Sequence, residues 1–417
     1  MGAWFGKAQT AVNGRRHGSF LPSTQVCEPM GGKGSSANGN VVRPDQPCAG
    51  SNHTKPALLQ WAATKKPGYL MKFGLFDHVD RNDRPLATQF DERLRFIAAA
   101  DEAGFFCYHV AEHHASPLNT VPVPGVWLGA VARATKRMHL GPLVYLLPLY
   151  SPLRLIEEIC ILDHLSGGRL EVGVGRGVSP FELMHHKIDH AESRNIFIDA
   201  FNCLTTGLQA EMLTYTSKYY TYKNVPIPLR PLQAPYPPFW YGSSNATGST
   251  WAGEQGLHFV TNGATSRAKA NITAFKEAYA KRGRPASPRA DFPGGVAIGI
   301  SRQIVVADTD AAAHQIAASA FAHYHSNLLY LWRLNIGDDL SARQNVPVAG
   351  TFEDALKEGT IIAGNPQTVR AEIEKQAAEL GINYLLTYLM FGTMPLAHAL
   401  RSLQLFSTEI MPALAGK

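Results

Sequence analysis

From residue 71 onward, short apolar runs alternate with longer amphipathic segments. Phe73–Val79 reads as a strand. It is followed by a helix over Ala87–Ala103, whose Phe90, Leu94, Ile97 and Ala98 share one face before Gly104 stops it. The same alternation predicts strands at Phe105–Ala111, His139–Leu147, Leu170–Val174, Pro238–Gly242, His258–Thr261, Gln303–Ala307 and Tyr384–Met390. Helices are predicted at Val123–Ala134, Pro152–Leu165, Ser249–Gln255, Ser266–Arg282, Asp310–Tyr324, Val369–Leu380 and Leu396–Glu409. Ser179-Pro180-Phe181-Glu182 opens a further helix as a capping box with proline at the first position. About eight strand-then-helix units favour a parallel sheet, and their number suits a (β/α)8 TIM barrel better than a doubly wound sheet, the second choice.

The pattern fails over residues 1–70, where ten Gly and six Pro accompany many Ser, Thr and Asn, so a disordered basic tail is expected there. This segment changes the meaning of the net charge of +6. It holds eight basic residues against two acidic ones, which leaves 31 of each sign in the rest of the chain. The body is neutral, which argues against a nucleic-acid groove on it. Met71 lies immediately before the first core strand, and the natural start is expected there, with 1–70 an upstream extension. A charged fraction of 17% suggests extensive burial and an oligomer interface. Five cysteines without a CxxC spacing point to reduced, buried thiols and a cytoplasmic setting. No apolar run approaches the roughly 18 residues of a membrane span.

In a (β/α)8 barrel the chemistry collects where strands end. Asp77 and His78 follow the first strand, Glu112-His113-His114 the second, Gly173-Val174-Gly175-Arg176-Gly177 the fourth and Ser243-Ser244-Asn245-Ala246-Thr247-Gly248 the fifth. Val178 breaks the GxGxxG nucleotide fingerprint, so these glycines suit a close backbone approach or a tight turn. Arg176 can clamp a phosphate. The Ser/Asn/Thr/Gly cluster can cradle an anion at a helix N-terminus or serve as a plain cap. Two adjacent histidines suit proton transfer or metal binding. His109 and His113 carry a zinc-like spacing of four, but on a strand rather than a helix, so a metal site is not expected.

These pieces together resemble the bacterial luciferase-like flavin monooxygenase family. The resemblance rests on Met71-Lys72-Phe73-Gly74, Glu112-His113-His114, Leu147–Arg154, Leu162–Arg169, Gly173–Gly177 and Gly364–Val369, and it covers roughly 71–415. It implies a barrel that takes reduced FMN from a separate flavin reductase and reacts it with O2 to a C4a-(hydro)peroxide that oxidises a small, apolar organic substrate. It implies proton transfer by His113, phosphate contacts from Arg176 beside Gly175, and a second phosphate loop at Ser244, Asn245 and Gly248. It also implies a cis peptide at Leu143-Val144 under the flavin, a homodimer formed through helices of the N-terminal half, and a mobile lid around 321–350 in which Tyr324, His325, Tyr330, Trp332 and Arg333 are substrate-contact candidates. Ser244 stands where the luciferase subunit has a carboxylate, so light emission is not implied. The alternatives are an F420-dependent oxidoreductase on the same fold, a non-catalytic flavin-binding protein and, most remotely, a metal-dependent hydrolase.

Overall fold

The computed structural model describes residues 71–337 and 350–415. The expected tail, the start at Met71 and the second half of the expected lid involve residues outside these ranges. Eight parallel positions close a barrel. They are β1 (Lys72–Asp77), β2 (Cys107–Val110), the broken third strand β3 (His139–Pro142) with β4 (Tyr145–Leu146), β5 (Val172–Gly175), β8 (Phe239–Ser243), β9 (His258–Thr261), β10 (Ile298–Val306) and β12 (Tyr384–Tyr388), which pairs with β1. A ninth parallel strand, β11 (Ile361–Gly364), pairs with Gln303–Val306 of β10.

Expectation and structure differ at several places. The cis Leu143-Val144 peptide bond is present as the resemblance implied, but it interrupts a third strand that was expected to run unbroken over His139–Leu147. The strand expected at Gln303 begins five residues earlier, at Ile298. The antiparallel hairpin of β6 (Met212–Thr216) and β7 (Thr221–Pro226), together with the helix α5 before it (Ser193–Gln209), was not expected.

The helices follow their end signals. In chain order the first four are α1 (Leu86–Glu102), α2 (Pro124–Ala134), α3 (Pro152–Ser166) and α4 (Pro180–His185). α3 has proline at its first position and closes on Gly167 at φ +66°, with the Gly167 and Gly168 amides donating to the His164 and Asp163 carbonyls. After α5 come α6 (Ala246–Gln255), α7 (Thr265–Arg282), α8 (Asp310–Ile336), α9 (Phe352–Lys357), α10 (Pro366–Leu380) and α11 (Leu396–Leu405). α8 does not end near Tyr324 as expected: it continues through residues 325–336, the first half of the expected lid.

Closure at the broken strand needs two glycines. A Cβ on Gly141 would stand 1.7 Å from the Glu171 carbonyl oxygen, and one on Gly173 would stand 2.3 Å from that of Pro142. Their absence lets the Leu140 amide donate to the Arg169 carbonyl at 3.0 Å and the Glu171 amide donate to the Leu140 carbonyl at 2.9 Å. Leu143, Trp240, Val260, Phe292, Tyr384 and Leu386 fill the barrel. At its N-terminal end the buried Glu171 carboxylate meets Arg289 at 2.9 Å and His139 at 3.1 Å and accepts from Trp240 Nε1 at 2.6 Å.

The other end rests on Arg93, which α1 buries at 1% exposure. It lies 3.4 Å from Asp77 and 4.0 Å from Asp80, and its Nη1 donates to the Met390 carbonyl at 2.6 Å. Burial pushes the Asp77 carboxyl up to about 6, against the opposing pull of Arg93. Removing the cation leaves two buried carboxylates without a countercharge. Arg93→Leu is therefore expected to destabilise the fold by about 3–5 kcal/mol, measured as a lower urea midpoint at unchanged slope.

Candidate functional site

The strand ends bring His113, Val144, Gly175, Arg176 and Ser244 to one mouth of the barrel. Val144, just past the cis bond, forms a shelf between two strand ends. A Cβ on Gly175 would strike its side chain at 2.4 Å, whereas one on Gly242 would lie 3.7 Å away, in ordinary contact. The Glu112 carboxylate holds the segment beyond the shelf. Its Oε2 accepts from the Leu146 amide at 2.9 Å and the Tyr150 hydroxyl at 3.0 Å, while Oε1 pairs with His114 Nε2 at 2.8 Å. Burial raises its pKa in spite of these partners. Of the adjacent pair, His114 thus serves Glu112, which leaves His113 for the site.

His113 Nδ1 lies 3.0 Å from Glu182 Oε1. Glu182 is the residue expected to reach back over its helix as half of a capping box. Ser179 does cap, accepting from the Glu182 amide at 3.3 Å. The Glu182 side chain instead turns inward and is 3% exposed, with Oε2 shielded and unpaired. Burial works against a proton on His113, but the Glu182 carboxylate outweighs it and the pKa is raised. A carboxylate behind Nδ1 orients the ring and leaves Nε2 for a ligand. The His113 ring also stacks on His78, centroids 5.3 Å apart. The sequence signal for Glu182 was present but had a sufficient local explanation.

Across the shelf, Arg176 is half-buried and forms no hydrogen bond or ion pair among the described residues. A second guanidinium, Arg194 on α5, is also half-buried and unpaired there. The two act on one group. Burial raises the Tyr241 phenol, and Arg194 and then Arg176 oppose the shift. Arg194 was missed because α5 itself was missed. At the start of α6, Asn245 Oδ1 accepts from the Gly248 amide at 2.9 Å, so these two satisfy each other as the plain cap reading requires. Ser244 forms no hydrogen bond among the described residues, and the first amides of α6 remain for an anion.

His109 does not converge with His113. Its ring is inside the barrel, where Nε2 meets the Tyr384 hydroxyl at 3.1 Å and burial depresses its pKa to about 3. Among the described residues no group of three His, Cys, Asp or Glu is arranged to hold a metal ion. Of the lid candidates, Tyr324 packs against His78 at 5.6 Å and Trp332 against Phe181 at 5.1 Å. His325 instead stacks on Phe321, and Tyr330 is exposed. Cys107, Cys160 and Cys203 are buried free thiols, and no helix among the described residues is long and apolar enough to cross a membrane.

Residues 71–384 match the model of the luciferase-like monooxygenase family. The chain belongs to that family. A protein designated y4wF, of uncharacterised function, from Sinorhizobium fredii is 36% identical over 341 residues, 82% of this chain and 96% of its own. The oxygenating constituent of 3,6-diketocamphane monooxygenase from Pseudomonas putida, a type II Baeyer-Villiger monooxygenase solved with FMN, shares the fold at TM-score 0.69. It is 22% identical, over 82% of this chain and 98% of its own. The coenzyme F420-dependent tetrahydromethanopterin reductase of Methanopyrus kandleri shares it at TM-score 0.61 and 19% identity, over 82% and 99%. The one fold is thus shared by a protein solved with FMN and by a coenzyme F420-dependent one.

The Glu182–His113 contact makes a titration prediction. In Glu182→Gln burial is opposed only by the smaller pull of Glu112, so the His113 pKa falls, as read from side-chain 15N shifts. A histidine raised above its unfolded value stabilises the fold fully below the unfolded pKa, and this is lost as the pH rises through the folded one. The substitution is expected to remove that increment from the pH dependence of unfolding.

Proposed function

We propose that the protein is an FMN-dependent monooxygenase that takes reduced FMN from a separate flavin reductase and uses O2 to oxidise a small, largely apolar organic molecule. The observation that carries this reading is the pairing of two features across the Val144 shelf: the unpartnered guanidinium groups Arg176 and Arg194 on one side, and the carboxylate-backed His113 on the other. Guanidinium forks and helix-start amides suit a phosphate monoester. The shelf, bordered by Gly175 and Gly242, suits a flat ring.

Reduced FMN, when bound, supplies the electrons for O2 activation, with one oxygen atom going to the substrate and the other leaving as water. The chain supplies the rest. Arg176 and Arg194 hold the phosphate, and Ser244 with the first amides of α6 offers further donors. His113 moves a proton at Nε2 while Glu182 takes the load at Nδ1. Phe181 and Trp332, in contact between α4 and α8, keep an apolar edge against water.

The test uses the full chain with a flavin reductase and an organic substrate panel, scored for O2 uptake not recovered as H2O2. His113→Ala is expected to keep FMN binding and lose about 10²–10⁴-fold in product formation. Arg176→Ala is expected to weaken FMN about 10–100-fold and to leave riboflavin, which has no phosphate, unchanged. Tight F420 binding without flavin-dependent O2 consumption would replace this reading with a deazaflavin oxidoreductase. FMN binding with no coupled oxidation of any substrate would leave a flavin-sequestering protein.

The same reading includes a homodimer. It is supported by exposed apolar side chains on the neighbouring helices α2 and α3, including Val126 at 77% exposure and Ile161 at 50%. Light scattering is expected to give twice the 45.4 kDa chain mass, and Val126→Glu with Ile161→Glu is expected to halve it.

A further inference from the structure

His78 follows β1 at the mouth of the barrel, in a wall made almost wholly of rings. Phe76 meets it edge-on at 4.9 Å, Tyr388 and Tyr324 lie at 5.5 and 5.6 Å, and His113 stacks on it at 5.3 Å. The residue is 8% exposed. Neither ring nitrogen has a hydrogen-bond partner among the described residues, and Nδ1 is fully shielded from solvent while Nε2 keeps accessible surface. The Tyr388 hydroxyl is already used, donating to Asp80 at 3.2 Å. His78, with the Tyr324 hydroxyl, is what this wall can offer to a polar ligand atom.

A neutral imidazole carries one hydrogen, and its location follows from where each nitrogen lies. A shielded N–H with no acceptor is costlier than a shielded lone pair with no donor. The hydrogen therefore belongs on Nε2, the nitrogen with access to the site. Burial, then His113 and Arg93, hold the ring well below the usual histidine range, so it stays an uncharged donor rather than a cation. An uncharged donor in an aromatic wall matches an uncharged acceptor on an apolar body.

We propose that His78 is a specificity-determining residue whose Nε2–H donates to an acceptor oxygen of the substrate. The substrate class is then an apolar molecule with an uncharged acceptor oxygen, for which a ring-bearing ketone serves as the probe, seated beside Phe76 and Tyr324. This deepens the monooxygenase reading and rests on it for the word substrate, though the recognition itself needs no flavin.

The test compares a ketone with its deoxygenated partner on the full chain, with and without FMN. Acetophenone and ethylbenzene share a skeleton, and their dissociation constants are read by calorimetry. Wild type is expected to prefer acetophenone by about tenfold or more, a factor one hydrogen bond can supply. His78→Phe and His78→Leu are expected to erase the preference while leaving the ethylbenzene constant within about twofold. His78→Gln, whose amide places a donor near Nε2, is expected to keep most of it. Equal affinities in wild type, no binding of either probe, or a preference that survives both apolar substitutions would overturn the proposal. FMN titration is read separately. A chain that fails to bind FMN but shows the His78-dependent preference would overturn the flavin reading alone, and the converse would overturn only the role of His78.

Discussion

Buried carboxylates must be paired, and the mouth of this barrel is organised by that requirement. Asp77 and Asp80 meet Arg93, Glu112 meets His114 and the Leu146 amide, and Glu182 meets His113. In a low-dielectric interior an unpaired charge costs several kcal/mol, so each carboxylate fixes the group that answers it. Three of these pairings position a strand end or the segment that follows it. The fourth fixes an imidazole beside a site for a ligand.

The two adjacent histidines show how such pairing divides labour. His114 and His113 are neighbours in sequence and chemically identical. They differ only in the carboxylate each one meets, and those carboxylates come from different elements. One histidine becomes a brace for the segment after the broken third strand. The other becomes a ring with one nitrogen held and the other available. His78 completes the contrast: a third imidazole, stacked on His113 but with no carboxylate partner, which burial keeps uncharged.

The proposed phosphate recognition follows the same logic with the sign reversed. Most buried or half-buried arginines here have acceptors: Arg93 has two carboxylates, Arg289 has Glu171, and Arg302 is held by Gln376 and backbone carbonyls. Arg176 and Arg194 stand apart because nothing among the described residues answers them. The zero net charge of the chain beyond residue 70 makes that local imbalance more informative than the overall basic character.

The sequence by itself determined the strand-and-helix alternation, the barrel it implies, the family and the ends at which chemistry collects, because hydrophobic period, caps and glycine stops are local properties of the chain. It placed His113, Arg176 and the Val144 shelf through motif resemblance. It did not reveal Arg194, whose helix lacked a clear start signal, or Glu182, whose capping-box spacing already had a local use. It assigned Asn245 and Gly248 to a ligand without showing that the Asn245 side chain caps the Gly248 amide. Only the tertiary structure decided these, along with which histidine of each pair is occupied. A side chain's partner is set by what folding brings within about 3 Å, and residues 69 positions apart, like His113 and Glu182, leave no local trace of meeting.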